Sequence, residues 1–518
     1  MNRHAALVAL GIFCSRLTGF VRQRVFAHYF GLQSDAADAF MAAFRIPNFL
    51  QNLFGEGALS ASFIPVYAAL VAREDRGEAS RVAGAVAALL SLITSVLVLF
   101  GVLMTPLLVT LIAPGFRGEK RDLTIAVVRI LFPGAGLLVL SAWCLGILNS
   151  HRRFFLSYIA PVIWNVTMIA ALAWWGARTP LPRLAVVLAW GAVAGSALQL
   201  LVQLPTVLAL APDLRFRLEL SDHVRTTIRN FIPVFVSRGV VQISAYIDEV
   251  LASLLPTGAV TGLASAQLLY TLPVSLFGLS VSAAALPAMS GAVGLDATHL
   301  LRERVNSGLR QIAFLVVPSA VALAALGDVV AAALFQTGRF TAEDARYVWG
   351  ILAGSSIGLL ATTLGRLYSS TYYALRDTRT PLRYALVHVG VATALGYIAA
   401  IILPPALGIA PLWGTVGLTA AASIGGWVEL ILLRRTLSRR IGETGLPTSL
   451  SLRLWSAAIA AAGVAWAIKL SIPPVHPIAG AALVLTPFGV TFLGLALLLG
   501  VPEAHGVFAR VRRASHRR

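Results

Sequence analysis

Apolar runs of about 20 residues, the length that crosses a bilayer, recur from one end of the chain to the other, with short polar stretches between them. They predict membrane helices near residues 5–30, 34–70, 82–108, 123–149, 155–176, 185–209 and 224–254. Seven more follow near 259–290, 305–326, 346–374, 381–403, 411–433, 453–470 and 478–500. The pattern is that of an all-α polytopic membrane protein with about 14 transmembrane helices. The second run is too long for one straight span, so a break is expected at Gly55-Glu56-Gly57, where glycine lowers the cost of leaving helical geometry. The first run carries arginines and lacks a small-residue cleavage site, so it is expected to remain as a helix rather than leave as a signal peptide.

Composition agrees: of 518 residues, 58% are hydrophobic and 12% charged, about half the charged share of a soluble protein. A net charge of +19 would suggest nucleic acid in a soluble chain, but here the basic residues sit mainly in alternate short loops. Arg73, Arg76, Arg81, Arg152, Arg153, Arg215, Arg217, Arg376, Arg379, Arg439 and Arg440 fall on one set, as does the tail from Arg510 to Arg518. The opposite set holds only Arg117, Lys120, Arg121, Arg178, Arg183, Arg339 and Arg346. This asymmetry places both termini in the cytoplasm and residues 113–121 and 335–345 outside, with no nucleic-acid partner. The basic tail reads as a topology anchor, with contact to anionic membrane lipids as the alternative. Cys14 and Cys144 lie within apolar runs without metal-ligand spacing and are expected to be buried small residues.

A faint duplication runs through the chain. Phe13-Cys14-Ser15-Arg16 in the first helix is matched by Phe235-Val236-Ser237-Arg238 in the seventh. Leu53-Phe54-Gly55 and Ile64-Pro65 in the second are matched by Leu276-Phe277-Gly278 and Leu286-Pro287 in the eighth. Two pseudo-symmetric six-helix lobes, 1–210 and 222–434, follow, joined by a cytoplasmic linker over 211–221. A cytoplasmic loop over 435–452, helices 13 and 14 over 453–500, and the basic tail over 501–518 lie beyond the repeat. Repeats around a central site are a common transporter plan.

Charges inside spans are costly and mark interiors, cavities or function. Arg16, Arg22 and Arg45 belong to the first two helices, with Asp38 and Glu56, and Arg238 lies on the seventh. Arg16 and Arg24 are eight apart and share nearly one helical face, given about 100° per residue. A basic surface of this kind suits an anionic, lipid-borne cargo, since arginine binds a diphosphate through charge-assisted hydrogen bonds. No phosphate-cradling loop, paired metal-binding histidines or nucleophile elbow is found, so a transporter is expected rather than an enzyme. The acid Asp248, beside Glu249 in the seventh helix, is the candidate for ion coupling.

The stretches Ser15-Arg16-x-x-Gly19-Phe20-x-Arg22, Asp38-Ala39-Phe40, Phe44-Arg45-Ile46-Pro47-Asn48 and Phe54-Gly55-Glu56-Gly57-Ala58-Leu59-Ser60 resemble the MurJ (MviN) family. That family sits in the superfamily of multidrug and oligosaccharidyl-lipid exporters. The resemblance implies a flippase for lipid II, the undecaprenyl-diphosphate-linked disaccharide-pentapeptide, working by alternating access in the bacterial inner membrane. It implies substrate contact at Arg16, Arg22, Asp38 and Glu56, a monovalent cation (sodium or proton) at Asp248, and a lipid-tail groove by helices 13 and 14; a monomer is the expected state. The chain departs from the family pattern at Gln51 and Leu268, where cavity arginines are usual; Gln51 is kept as a substrate-binding candidate, and Arg45 and Arg238 are the candidate substitutes. Flipping of another polyprenyl-linked oligosaccharide, and less readily drug–cation antiport, are the alternative readings.

Overall fold

The computed structural model describes residues 3–506 apart from 283–284, 286–288, 290, 292–296 and 474, and leaves undescribed the side chains of 3–9, 56, 236–245 and 279. The basic tail beyond residue 506 and the Leu286-Pro287 half of the repeat therefore lie outside the described residues.

Helices account for nearly all of the described chain. In order they are α1 (Arg3–Phe30), α2 (Asp35–Phe54), α3 (Glu56–Ala72), α4 (Arg76–Leu103), α5 (Thr105–Ile112), α6 (Gly118–Ser150), α7 (Phe154–Trp175) and α8 (Leu181–Leu210). Then come α9 (Asp222–Ser253), α10 (Ala259–Pro273), α11 (Thr298–Phe335), α12 (Ala342–Ala374), α13 (Arg379–Tyr397), α14 (Gly414–Ile441), α15 (Thr448–Ser471) and α16 (Pro477–Leu498). Among the described residues, twelve helical segments are long and apolar enough to cross a membrane. Two further long helices, α1 and α9, are more polar than these, with Arg16, Arg22 and Arg24 on one and Asp248 and Glu249 on the other.

Local chemistry explains where the helices begin, break and end. Ser34 is extended at φ −133° and its hydroxyl accepts from Ala37 N–H, starting α2 with Asp35 and Asp38 in its first turn. Gly55 leaves helical geometry at ψ −159° and separates α2 from α3, as expected from the glycines. Thr341 and Asp344 form a reciprocal capping box at the start of α12. After Pro273, α10 widens into a π-helical turn, Val274–Leu279, where the proline has removed a backbone donor. The single span expected near 305–326 is a 38-residue helix kinked at Leu326. The kink frees carbonyls that two tryptophans satisfy: Trp349 Nε1 donates to Ala324 O at 2.7 Å and Trp466 Nε1 to Ala325 O at 2.8 Å. Lys469 sits 4.5 Å from the Trp466 ring and pairs with Asp328 at 2.5 Å.

Two compact units pack internally: residues 1–261 with 337–340, and residues 262–336 with 341–518. In the first, α6 is the central helix, touching α2, α3, α4 and α8, while α1 lies on α7 and α9 on α3. In the second, α11, α12 and α14 form the body, α13 lies against α14, and α15 and α16 pair against α11. Large apolar side chains such as Leu92, Val96, Leu99 and Phe100 on α4, and Leu382 and Leu386 on α13, are exposed, as expected for lipid-facing surface. Cys144 is buried, but Cys14 is only half-buried, on an α1 face whose neighbours Phe13 and Leu17 are exposed.

Loops that the arginine pattern assigns to one membrane face do come together. The 113–121, 254–258 and 337–340 segments meet near the α1–α2 corner: Arg339 N–H donates to His28 O at 2.9 Å, and His28 Nδ1 lies 2.8 Å from Thr337 Oγ1. Gly115 N–H donates to Ser253 Oγ at 3.4 Å. On the other set, His223 meets Glu78 at 3.2 Å and His151 meets Tyr67 at 3.0 Å.

Candidate functional site

The polar side chains of α1, α2, α6, α8 and α9 fall into four arrangements, each set by helical periodicity. Arg22 on α1 lies against two aromatic rings, 5.4 Å from the Phe44 centroid on α2 and 4.9 Å from Trp164 on α7. Those rings are themselves stacked at 5.7 Å, and Arg22 Nη1 donates toward Met168 Sδ at 3.6 Å. Cation–π contact of this kind favours the planar guanidinium.

Arg45, next along α2 from Phe44, points to α9 instead. Its Nη1 is 3.1 Å from Glu249 Oε2, and the Glu249 side chain is only 2% exposed. Tyr246 O–H donates to the Arg45 carbonyl at 2.7 Å, and the Tyr246 ring meets Phe49 edge-on at 5.7 Å. Asp248, the acid singled out for ion coupling, is half-buried one residue earlier.

Asp38, in the first turn of α2, is 1% exposed and saturated. Lys120 Nζ donates to Oδ2 at 2.8 Å and Gly258 N–H to the same oxygen at 2.9 Å. Thr261 donates to Oδ1 through its N–H at 2.9 Å and its hydroxyl at 2.6 Å. Lys120 also lies 3.3 Å from Asp35 and 4.3 Å from the Phe116 ring. Gly258 adopts φ +99° against Gln33 and Leu32, a left-handed conformation that side-chain-bearing residues rarely adopt.

Gln51 lines a cavity of about 480 Å³ beside the α2–α3 break, with Asn52, Ser60, Ser141 of α6 and Gln199 of α8. Among the other expected site residues, Arg16 is exposed on α1. Glu56 opens α3 and Arg238 lies on α9, but both side chains are outside the described residues.

Glu249, Lys120, Trp164, Ser141 and Gln199 join these arrangements without having stood out in the sequence as site residues. Lys120 was legible only as a loop charge, and Trp164 as one more apolar residue. Ser141 and Gln199 carried a weak signal, as uncharged polar residues inside apolar runs.

A family model described as "Lipid II flippase MurJ" matches residues 26–491. The "Probable lipid II flippase MurJ" of Rhizobium meliloti is 32% identical over 463 residues, covering 88% of this chain and 84% of the relative. The "Lipid II flippase MurJ" of Burkholderia cenocepacia is 31% identical over 452 residues, covering 85% and 84%. Among solved structures, an inward closed lipid II flippase MurJ superposes with a TM-score of 0.76 at 24% identity, covering 95% of this chain and 98% of that one. An inward-facing multidrug resistance MATE family transporter of the MOP superfamily gives 0.65 at 17% identity, covering 80% and 95%. At these identities the two structures share the fold.

Proposed function

The chain belongs to the lipid II flippase MurJ family, and on that premise we propose how its residues move the cargo. It is a lipid II flippase of the bacterial inner membrane. Transport runs from the cytoplasmic to the periplasmic leaflet by alternating access, without covalent catalysis, and the working unit is a monomer with both termini cytoplasmic.

The observation that carries this reading is the saturated Asp38 carboxylate. It ties the start of α2 to Lys120 and to the 257–261 segment, at the face that the arginine pattern makes periplasmic. Hydrogen bonds to a charged group contribute about 1.5–3 kcal/mol each. The fastening therefore holds that end closed until cargo binding or an ion offsets it, as any ligand-driven shift requires. Drug export is the poorer reading, because the arginines of α1 and α2 would repel cationic drugs.

Arg22 is the principal diphosphate contact, held against Phe44 and Trp164, and Arg16 is a second. Arg45 reaches cargo only when its pair with Glu249 opens. That pair, with Asp248, makes α9 the element where a monovalent cation, sodium or a proton, couples to transport. The basic tail beyond residue 506 associates with anionic lipid headgroups.

Rescue of bacteria depleted of their own lipid II flippase tests the assignment. Expression at native level is expected to restore growth. A membrane-inserted protein that fails to do so would overturn the cargo.

A further inference from the structure

The cavity beside the α2–α3 break differs chemically from the arginine cluster. None of its described lining residues is charged, and the residue between its lining glycines Gly55 and Gly57 is an acid, Glu56. A diphosphate brought here would meet no cation to replace its lost hydration, which is prohibitive for a buried charge. The lining instead offers amides and hydroxyls: Gln51, Asn52, Ser60, Ser141 and Gln199.

Two of these are held in place from behind. Gln199 Nε2 donates to Ser141 Oγ at 2.9 Å, and Ser141 Oγ donates to Gln203 Oε1 at 2.7 Å. Gln199 is 8% exposed and Ser141 1%, so neither head group is free to swing. A primary amide has two N–H donors and a carbonyl acceptor; the relay uses one donor of Gln199 and leaves the rest for a ligand. The relay fixes the Gln199 amide at the cavity wall.

We infer that this cavity is the subsite for the uncharged, N-acylated sugar portion of the cargo headgroup, read by Gln51 and Gln199. Sugar hydroxyls and acetamido groups both donate and accept, which matches neutral amides and hydroxyls better than any anion does. Leu138, Leu145 and Pro161 supply an apolar wall for the C–H face of a pyranose ring. A volume of about 480 Å³ lies within the roughly 300–1,000 Å³ of small-ligand sites. This subsite rests on the lipid II reading, and it divides the headgroup: diphosphate to the α1 arginines, sugar to the α2–α6–α8 cavity.

The test compares two lipids on the full-length protein in nanodiscs: lipid II, and undecaprenyl diphosphate, which has the same anion but no sugar. Wild-type protein is expected to bind lipid II more tightly. Gln199→Leu and Gln51→Leu should each weaken lipid II binding about three- to tenfold, the worth of one lost neutral hydrogen bond, and leave undecaprenyl diphosphate unchanged. Gln51 stands outside the relay, so its variant carries the test if Gln199→Leu lowers the thermal midpoint. Equal losses for both lipids, no loss for either, or equal wild-type affinities would overturn the inference. Failure of the flippase reading shows separately, as a wild-type chain that does not rescue depleted cells.

Discussion

Arg45 of α2 and Glu249 of α9 form an ion pair at 3.1 Å, with the acid side chain 2% exposed and the arginine 25% exposed. A buried acid held by one arginine makes each partner dependent on the other. Removing one partner of a buried pair costs about 3–5 kcal/mol, largely through the charge left behind. Arg45→Met should therefore lower the thermal midpoint in detergent markedly, and adding Glu249→Leu should restore most of it. Simple additivity of the two losses would show that the residues are not energetically coupled.

The Asp38 cluster makes a prediction about accessibility. Ala259 is fully buried next to Gly258 and Thr261, which both donate to Asp38. A cysteine at Ala259 should resist an impermeant thiol reagent, and Asp38→Ala should expose it. Lys120→Ala removes one donor of four and should give an intermediate rate. Protection that persists in Asp38→Ala would mean that this carboxylate does not hold the end closed.

Arg22 should be required for growth support, with lysine a partial substitute. Arg22→Lys keeps the charge and loses the guanidinium that contacts the Phe44 and Trp164 rings, an interaction of about 0.5–2 kcal/mol. Arg22→Ala should insert normally and fail in depleted cells, whereas Arg339→Ala, whose backbone N–H supplies the contact to His28, should grow normally. A fully functional Arg22→Ala protein would remove this residue from the cargo path.

Outside the spans, Asp377 between α12 and α13 is held well below the usual carboxylate range, at about 2. The Thr380 N–H is the main cause, helped by the Thr380 hydroxyl and by Arg440 at 2.7 Å. A folded-state value below the unfolded one stabilises above the unfolded pKa, near 3.9, and that contribution is lost as pH falls through about 2. The thermal midpoint of wild type should therefore exceed that of Asp377→Asn at pH 5, with the gap closing towards pH 2. A gap that does not depend on pH would exclude the carboxylate's charge as its source.

Topology is testable with cysteines at exposed positions. Gly338 is a poor choice, because a Cβ there would collide with His28 O, at a backbone φ of +54°. Arg117→Cys and Arg339→Cys should label from the periplasm, and Arg439→Cys only after the inner membrane is permeabilised. The reverse pattern would invert the protein in the bilayer.

By itself the sequence determined the class and the division into spans, because those depend on length and periodicity: apolar runs of bilayer length, a glycine break at Gly55, and arginines sorted by loop. It also carried the family, through short motifs in the first two helices. Only the tertiary structure decided which charges face which partners. Adjacent positions on a helix diverge by about 100°, so Phe44 joins the Arg22 stack while Arg45 turns to Glu249. Lys120 finds Asp38 from 82 residues away, and Gln199 meets Ser141 from 58. Such partners have no common period along the chain; they meet because helices distant in sequence pack side by side, and packing alone brings them within hydrogen-bonding distance.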